Sequence, residues 1–77
     1  MTSKEMIFNV LKEYGCSTTF QIKGMVYRAY NERLSEASIS GQLRGLVSKG
    51  IAAKSYNGSG KMVYWITDFG KENCEMN

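Results

Sequence analysis

Apolar positions recur along this chain with two different periods, and the switch between them divides it. Met6, Ile7, Val10, Leu11 and Tyr14 fall on one face, since residues three and four apart stack in a helix of 3.6 residues per turn. Thr2 with Glu5 three residues on makes a capping-box signature, and Gly15 provides a stop, so a first helix is predicted over about 3–14. A polar break, Cys16-Ser17-Thr18, precedes a second helix over about 19–32, capped in the same way by Thr18 and Gln21. Its predicted inner face is Ile22, Met25, Val26, Ala29 and Tyr30, and its outer face Lys23, Gly24, Tyr27, Arg28 and Asn31. Ser35 then opens a third helix, over about 36–49, ended by Gly50. At about 100° per residue, Leu43, Leu46 and Val47 lie within about 80° of Ile39, while Ala37, Ser38, Gly41, Arg44, Gly45 and Ser48 point away.

From Ile51 the period becomes two. Ile51 and Ala53 alternate with Ala52 and Lys54, and Met62, Tyr64 and Ile66 alternate with Val63 and Trp65. Asn57-Gly58-Ser59-Gly60 between them supplies turn residues, so a β-hairpin is predicted within 51–67. With a two-residue Asn57-Gly58 turn, Lys54 would face Lys61, a like-charge pair that an anion would relieve. Thr67 is expected to cap a short terminal helix over about 68–75.

Three helices followed by a hairpin is the order of a winged helix-turn-helix, an α+β fold that is mainly helical, and 1–77 reads as a single domain. A chain of 77 residues has room for one core, because a domain of this size buries only about 60% of its unfolded surface. Two stretches carry a family resemblance. Ser38 to Ile51, SISGQLRGLVSKGI, is similar to the S-V-S-x-x-L-x-x-L-x-x-x-G-L pattern of bacterial winged-helix regulators of the MarR and PadR kind, and Tyr64 to Lys71, YWITDFGK, resembles their wing exit, Y-x-L-T-x-x-G-K. The resemblance implies DNA binding, with the third helix in the major groove and the wing on the backbone. Two departures stand against it. The long flanking helices that build the dimer in those regulators have no counterpart here, so a ligand sensor is not expected, and Phe69 occupies a position that is usually polar.

Charge sharpens this picture. Residues 1–34 carry five basic and three acidic groups, residues 35–67 four and one, and residues 68–77 one and three. The positive excess therefore lies on the third helix and the wing, where DNA would sit. The expected base readers are Ser38, Ser40, Gln42 and Arg44. Gln42 suits adenine N6 and N7, and Arg44 suits guanine O6 and N7. Gly41 and Ser48 keep the outer face small, Lys54, Tyr56, Asn57, Ser59 and Lys61 offer wing donors to phosphate, and Thr18, Lys23 and Arg28 flank the site from the second helix.

Other chemistry finds little footing. The chain has no histidine, no glycine-rich phosphate loop between a strand and a helix and no paired carboxylates, so neither an enzyme nor a metal or other cofactor is expected. Cys16 and Cys74 form no CxxC and are expected as reduced thiols. No run approaches the ~20 apolar residues of a membrane span, and a cytoplasmic location follows as an expectation. The alternative to DNA binding is a winged helix that holds a protein, as a phage or plasmid accessory factor or an inhibitor of a host protein. Trp65 and Phe69, or the glycine face of the third helix, would serve that partner or a second copy of the chain in a homodimer. Those two aromatics have a plainer use, packing the terminal helix onto the hairpin.

Overall fold

The computed structural model describes residues 1–69, which form helices α1 (Ser3–Tyr14), α2 (Thr19–Tyr30) and α3 (Glu36–Ser48), then strands β1 (Ala52–Tyr56) and β2 (Met62–Ile66) and a short 3₁₀ turn, Thr67–Phe69. This is the mainly helical α+β layout of a winged helix. Of the span expected as a terminal helix, Asp68 and Phe69 belong to that 3₁₀ turn, and the rest lies outside the described residues.

Each helix starts where its cap chemistry directs. The Glu5 N–H donates to Thr2 Oγ1 at 3.2 Å while Glu5 Oε1 accepts from the Thr2 N–H at 2.9 Å. Thr18 and Gln21 repeat the exchange at 3.2 and 2.9 Å, and Ser35 Oγ accepts from the Ser38 N–H at 3.1 Å. Such caps satisfy backbone donors that have no partner within the helix. The ends are equally specific. Asn31 stops α2 in the left-handed conformation, at φ 57°. At the end of α3, Gly50 takes φ 77°, its N–H reaches Val47 O, and the Ile51 N–H reaches Leu46 O, both at 3.0 Å. That pair of bonds is a Schellman motif.

Ile7, Leu11, Ile22, Val26, Ile39, Leu43 and Leu46 are the fully buried centre, joined by Met6, Val10, Ala52 and Ile66. Two members of the inner faces expected of α1 and α2 do not reach the core. Tyr14 is 55% exposed and Ala29 is exposed, although Tyr30, one residue further on, packs against the core.

The hairpin is antiparallel, with Ala52 opposite Ile66 and Tyr56 opposite Met62. It does not turn at Asn57-Gly58. Residues 57–61 form a five-residue loop in which Asn57 Oδ1 accepts from the Ser59 and Lys61 N–H groups at 2.9 and 3.0 Å and Gly60 takes φ 79°. Ser17 adds a bridge on the other edge of β2, exchanging backbone hydrogen bonds with Tyr64 at 2.9 and 2.8 Å. The break between α1 and α2 is thus pinned to the edge of the two-stranded sheet by a single bridge. Thr67, expected as a helix cap, instead donates its hydroxyl to Gly50 O at 3.0 Å and its N–H to Ile51 O at 2.9 Å, tying the end of the hairpin to its beginning.

Beside this sheet, Cys16, Val63 and Trp65 make a second small cluster with Ala53 against it. Cys16 is disulfide-bonded and not a reduced thiol, which corrects the expectation above. Spacing along the chain carries no information about distance in the fold, and Cys74 lies outside the described residues. No helix among the described residues is long and apolar enough to cross a membrane.

Candidate nucleic-acid interface

The outer surface of α3 is set by what its inner surface buries. With Ile39, Leu43 and Leu46 inward, Ala37, Gly41, Arg44 and Ser48 form an exposed stripe within about 60° on the opposite side. Ser38 is exposed at one edge of it. Ser40 and Gln42, expected beside Arg44 as base readers, are half-buried and flank the stripe on opposite sides, about 160° apart. The four residues therefore do not share one face, and Arg44 with its small neighbours is the part that points straight out.

Gly41 and Gly45 have no structural duty in this helix. A Cβ at either would meet nothing within 4 Å, and neither has a positive φ. Each glycine in a helix interior costs about 0.8 to 1 kcal/mol relative to alanine. Gly41 leaves the backbone bare on the outward stripe, while Gly45 lies beside that stripe and is half-buried.

The wing presents its cations differently from the expected pattern. Lys54 is exposed and pairs with Tyr64 in the sheet, whereas Lys61 lies in the five-residue loop, so the two do not face each other. The cause is Asn57, whose side chain organises the longer loop and leaves its oxygen committed to backbone donors. Tyr56 is 69% exposed across from Met62, and Ser59 is exposed at the loop.

Between the loop and α2 lies a cleft of about 320 Å³ lined by Cys16, Thr18, Gln21, Asn57, Ser59, Lys61 and Val63. It brings together one of the three expected α2 residues and three of the five expected wing residues. The first turn of a helix carries a partial positive charge, and here the Lys61 side chain is added to it. Lys23 and Arg28 do not join this group. Arg28 is exposed in the last turn of α2, about 15 Å along the axis from Thr18. Lys23 lines a separate groove with Phe20, Gly24 and Tyr27.

Trp65 is only 8% exposed, so it contributes to the cluster with Cys16 and Val63 and offers little surface to a partner. Phe69 ends the 3₁₀ turn, and its side chain lies outside what is described.

Two features of the surface escaped the sequence reading. Lys4, on α1, lies against Lys49 at the end of α3; two ammonium groups that can only donate crowd one another there, and the neighbouring cation holds the Lys4 ammonium below its ordinary pKa. No local pattern joins positions so far apart. The other is the groove on α2, completed by Arg33 and Leu34 from the following connection. Its sequence signal was Phe20 and Tyr27 two turns apart with Gly24 between them.

Neither a family model nor a curated protein matches this chain.

Proposed function

We propose that this chain is a winged-helix protein that binds double-stranded DNA, with α3 in the major groove and the wing on the phosphate backbone, and that it regulates transcription from the cytoplasm. The observation that carries the reading is the small exposed stripe on α3, where Gly41 costs helix stability and a Cβ would meet nothing within 4 Å. A helix with its side chains is about 10–12 Å across, close to the major-groove width of about 12 Å. Removing side chains from the outward face lets the backbone sit deeper and carries Arg44 to the base edges. Arg44 takes guanine O6 and N7 in a forked contact, a pairing worth roughly 1–3 kcal/mol of discrimination. Lys54 and Lys61 meet phosphates, and the positive end of α2 lies at the cleft beside Lys61. One helix reads only a few base pairs, so a specific site calls for two copies on linked half-sites.

Fluorescence anisotropy with a random duplex of about 30 base pairs tests the reading. Expected is binding that weakens linearly in log salt with a slope of several released counterions, reduced by Arg44→Ala and by Lys61→Ala. Folded protein that leaves the duplex free at low salt would overturn it.

A further inference from the structure

The outer side of α2 carries chemistry that neither the core nor the proposed DNA contacts use. Phe20 is 71% exposed and Tyr27 45%, two large aromatic side chains on one face of the helix. Residues 31–35 run beside that face, so Arg33 and Leu34 make the second wall of an open groove of about 600 Å³. Gly24 lies between the two rings along the helix. A Cβ there would meet nothing within 4 Å, and its φ is not in the left-handed region, so the fold has no need of glycine at this position. What glycine does is keep the space between Phe20 and Tyr27 empty.

The charges of the described residues that line this groove are all of one sign. Among the described residues, Lys23 and Arg33 line it and no carboxylate does. The Arg33 guanidinium lies over the Tyr27 ring, 5.1 Å from its centroid, which holds the plane in place while its edge N–H groups remain able to fork onto a carboxylate. An apolar floor with two cations on its rim complements a ligand that is apolar on one side and anionic on the other. Duplex DNA would engage the cations and leave Phe20 and Leu34 without a partner. The aromatic pair spans two helical turns, about 10 Å, the distance over which a docked helix sets its anchor residues.

We propose that this groove is a docking site for a short acidic segment of another protein, an amphipathic helix that sets a leucine or aromatic anchor over Gly24 and a carboxylate on Arg33. No residue of α3's outward stripe or of the wing lines it, so the groove stands independently of the DNA reading and is tested apart from it.

The test uses the full chain as the target for a displayed library of random dodecapeptides, with the Gly24→Leu variant as the parallel target. Leucine at position 24 has open space around its Cβ, so the variant fills the groove without disturbing the core, and an amide ¹H–¹⁵N spectrum verifies that it and Arg33→Glu remain folded. Expected are enriched peptides rich in Asp and Glu with one leucine or aromatic anchor. Their affinity for the wild type falls at least tenfold in Gly24→Leu and in Arg33→Glu, and they shift the amides of Gly24, Tyr27 and Leu34. Failure to enrich any peptide above the bare support overturns the proposal, as do peptides that bind both variants as well as the wild type. A fluorescent twelve-nucleotide poly-dT that binds the wild type and is lost in both variants, with no peptide doing so, would assign the groove to single-stranded nucleic acid instead.

Discussion

Three helix-interior positions are glycine, Gly24, Gly41 and Gly45, and at none of them would a Cβ meet another atom within 4 Å. Substitution by alanine is therefore free of steric cost, and the helix gains intrinsic propensity. Gly41→Ala is expected to stabilise the protein by about 0.8–1 kcal/mol, read as a higher urea midpoint with an unchanged slope. Gly41→Leu keeps much of that gain and, on the DNA reading, weakens duplex binding in the anisotropy assay because the side chain stands in the groove. A folded Gly41→Leu protein that binds like the wild type would remove close approach as the reason for the glycine. Glu5 offers a second test on a single side chain. Its carboxylate accepts from the Thr2 N–H and the Thr2 hydroxyl, which holds it below its usual value of 4.5. A carboxylate depressed on folding contributes stability above its unfolded pKa, and that contribution is lost as pH falls through the folded value. The Tm of the wild type is thus expected to exceed that of Glu5→Gln at pH 7, with the difference shrinking as the solution is acidified below about 4. A difference that stays constant down to pH 2 would show that the charge on Glu5 plays no part in the cap.

At the scale of the elements, what could be read in advance was what neighbours along the chain decide. Thr2 with Glu5, Thr18 with Gln21 and Ser35 with Ser38 act within one turn, and all three helix starts were legible from them. The Schellman ending rests on Gly50, where a side chain is strained at φ 77° whatever the space around it. Gly50→Ala is expected to cost about 1–2 kcal/mol, measured by chemical denaturation; a loss below the error of that measurement would mean that the junction between α3 and β1 relaxes elsewhere. The wing loop shows where local reading stops. Asn57-Gly58 fits a two-residue turn by composition, yet the Asn57 side chain has two backbone amides within reach and selects the five-residue loop. Which of the two wins depends on strand register, and Ser17 helps to hold that register from outside the hairpin. Lys54 and Lys61 are separated as a result.

For the whole molecule, the candidate site was legible in the residues it uses and not in how they group. The outward set on α3 followed from Ile39, Leu43 and Leu46, but the flanking places of Ser40 and Gln42 depend on how closely neighbouring elements approach. Thr18 and Lys61 share a cleft because α2 starts beside the wing, while Lys23 belongs to the groove that residues 31–35 complete. For Trp65 the sequence leaves open a partner surface or packing on the hairpin, and the cluster with Cys16 and Val63 beside the bridge to Ser17 decides for packing. As the chain's one tryptophan, it reports on that packing. Its emission is expected to be blue-shifted in the native state, and its red shift in urea to coincide with the loss of helical circular dichroism, because the hairpin and helices share one core. A tryptophan transition at lower urea than the helical one would show that the hairpin detaches first.

The bridge between Ser17 and Tyr64 also bears on when the protein can take its shape. The ribosome delivers all three helices before it makes β2, and β2 is the strand that fastens the joint between the first two. Until residues 62–66 have left the ribosome, Ile66 is missing from the core and Ser17 has no strand to pair with. A nascent chain at that stage holds helices with apolar faces awaiting their cover, the state most exposed to misassociation. Completion of the fold is therefore timed by the wing, so the element proposed to grip the DNA backbone is also the one whose arrival closes the body.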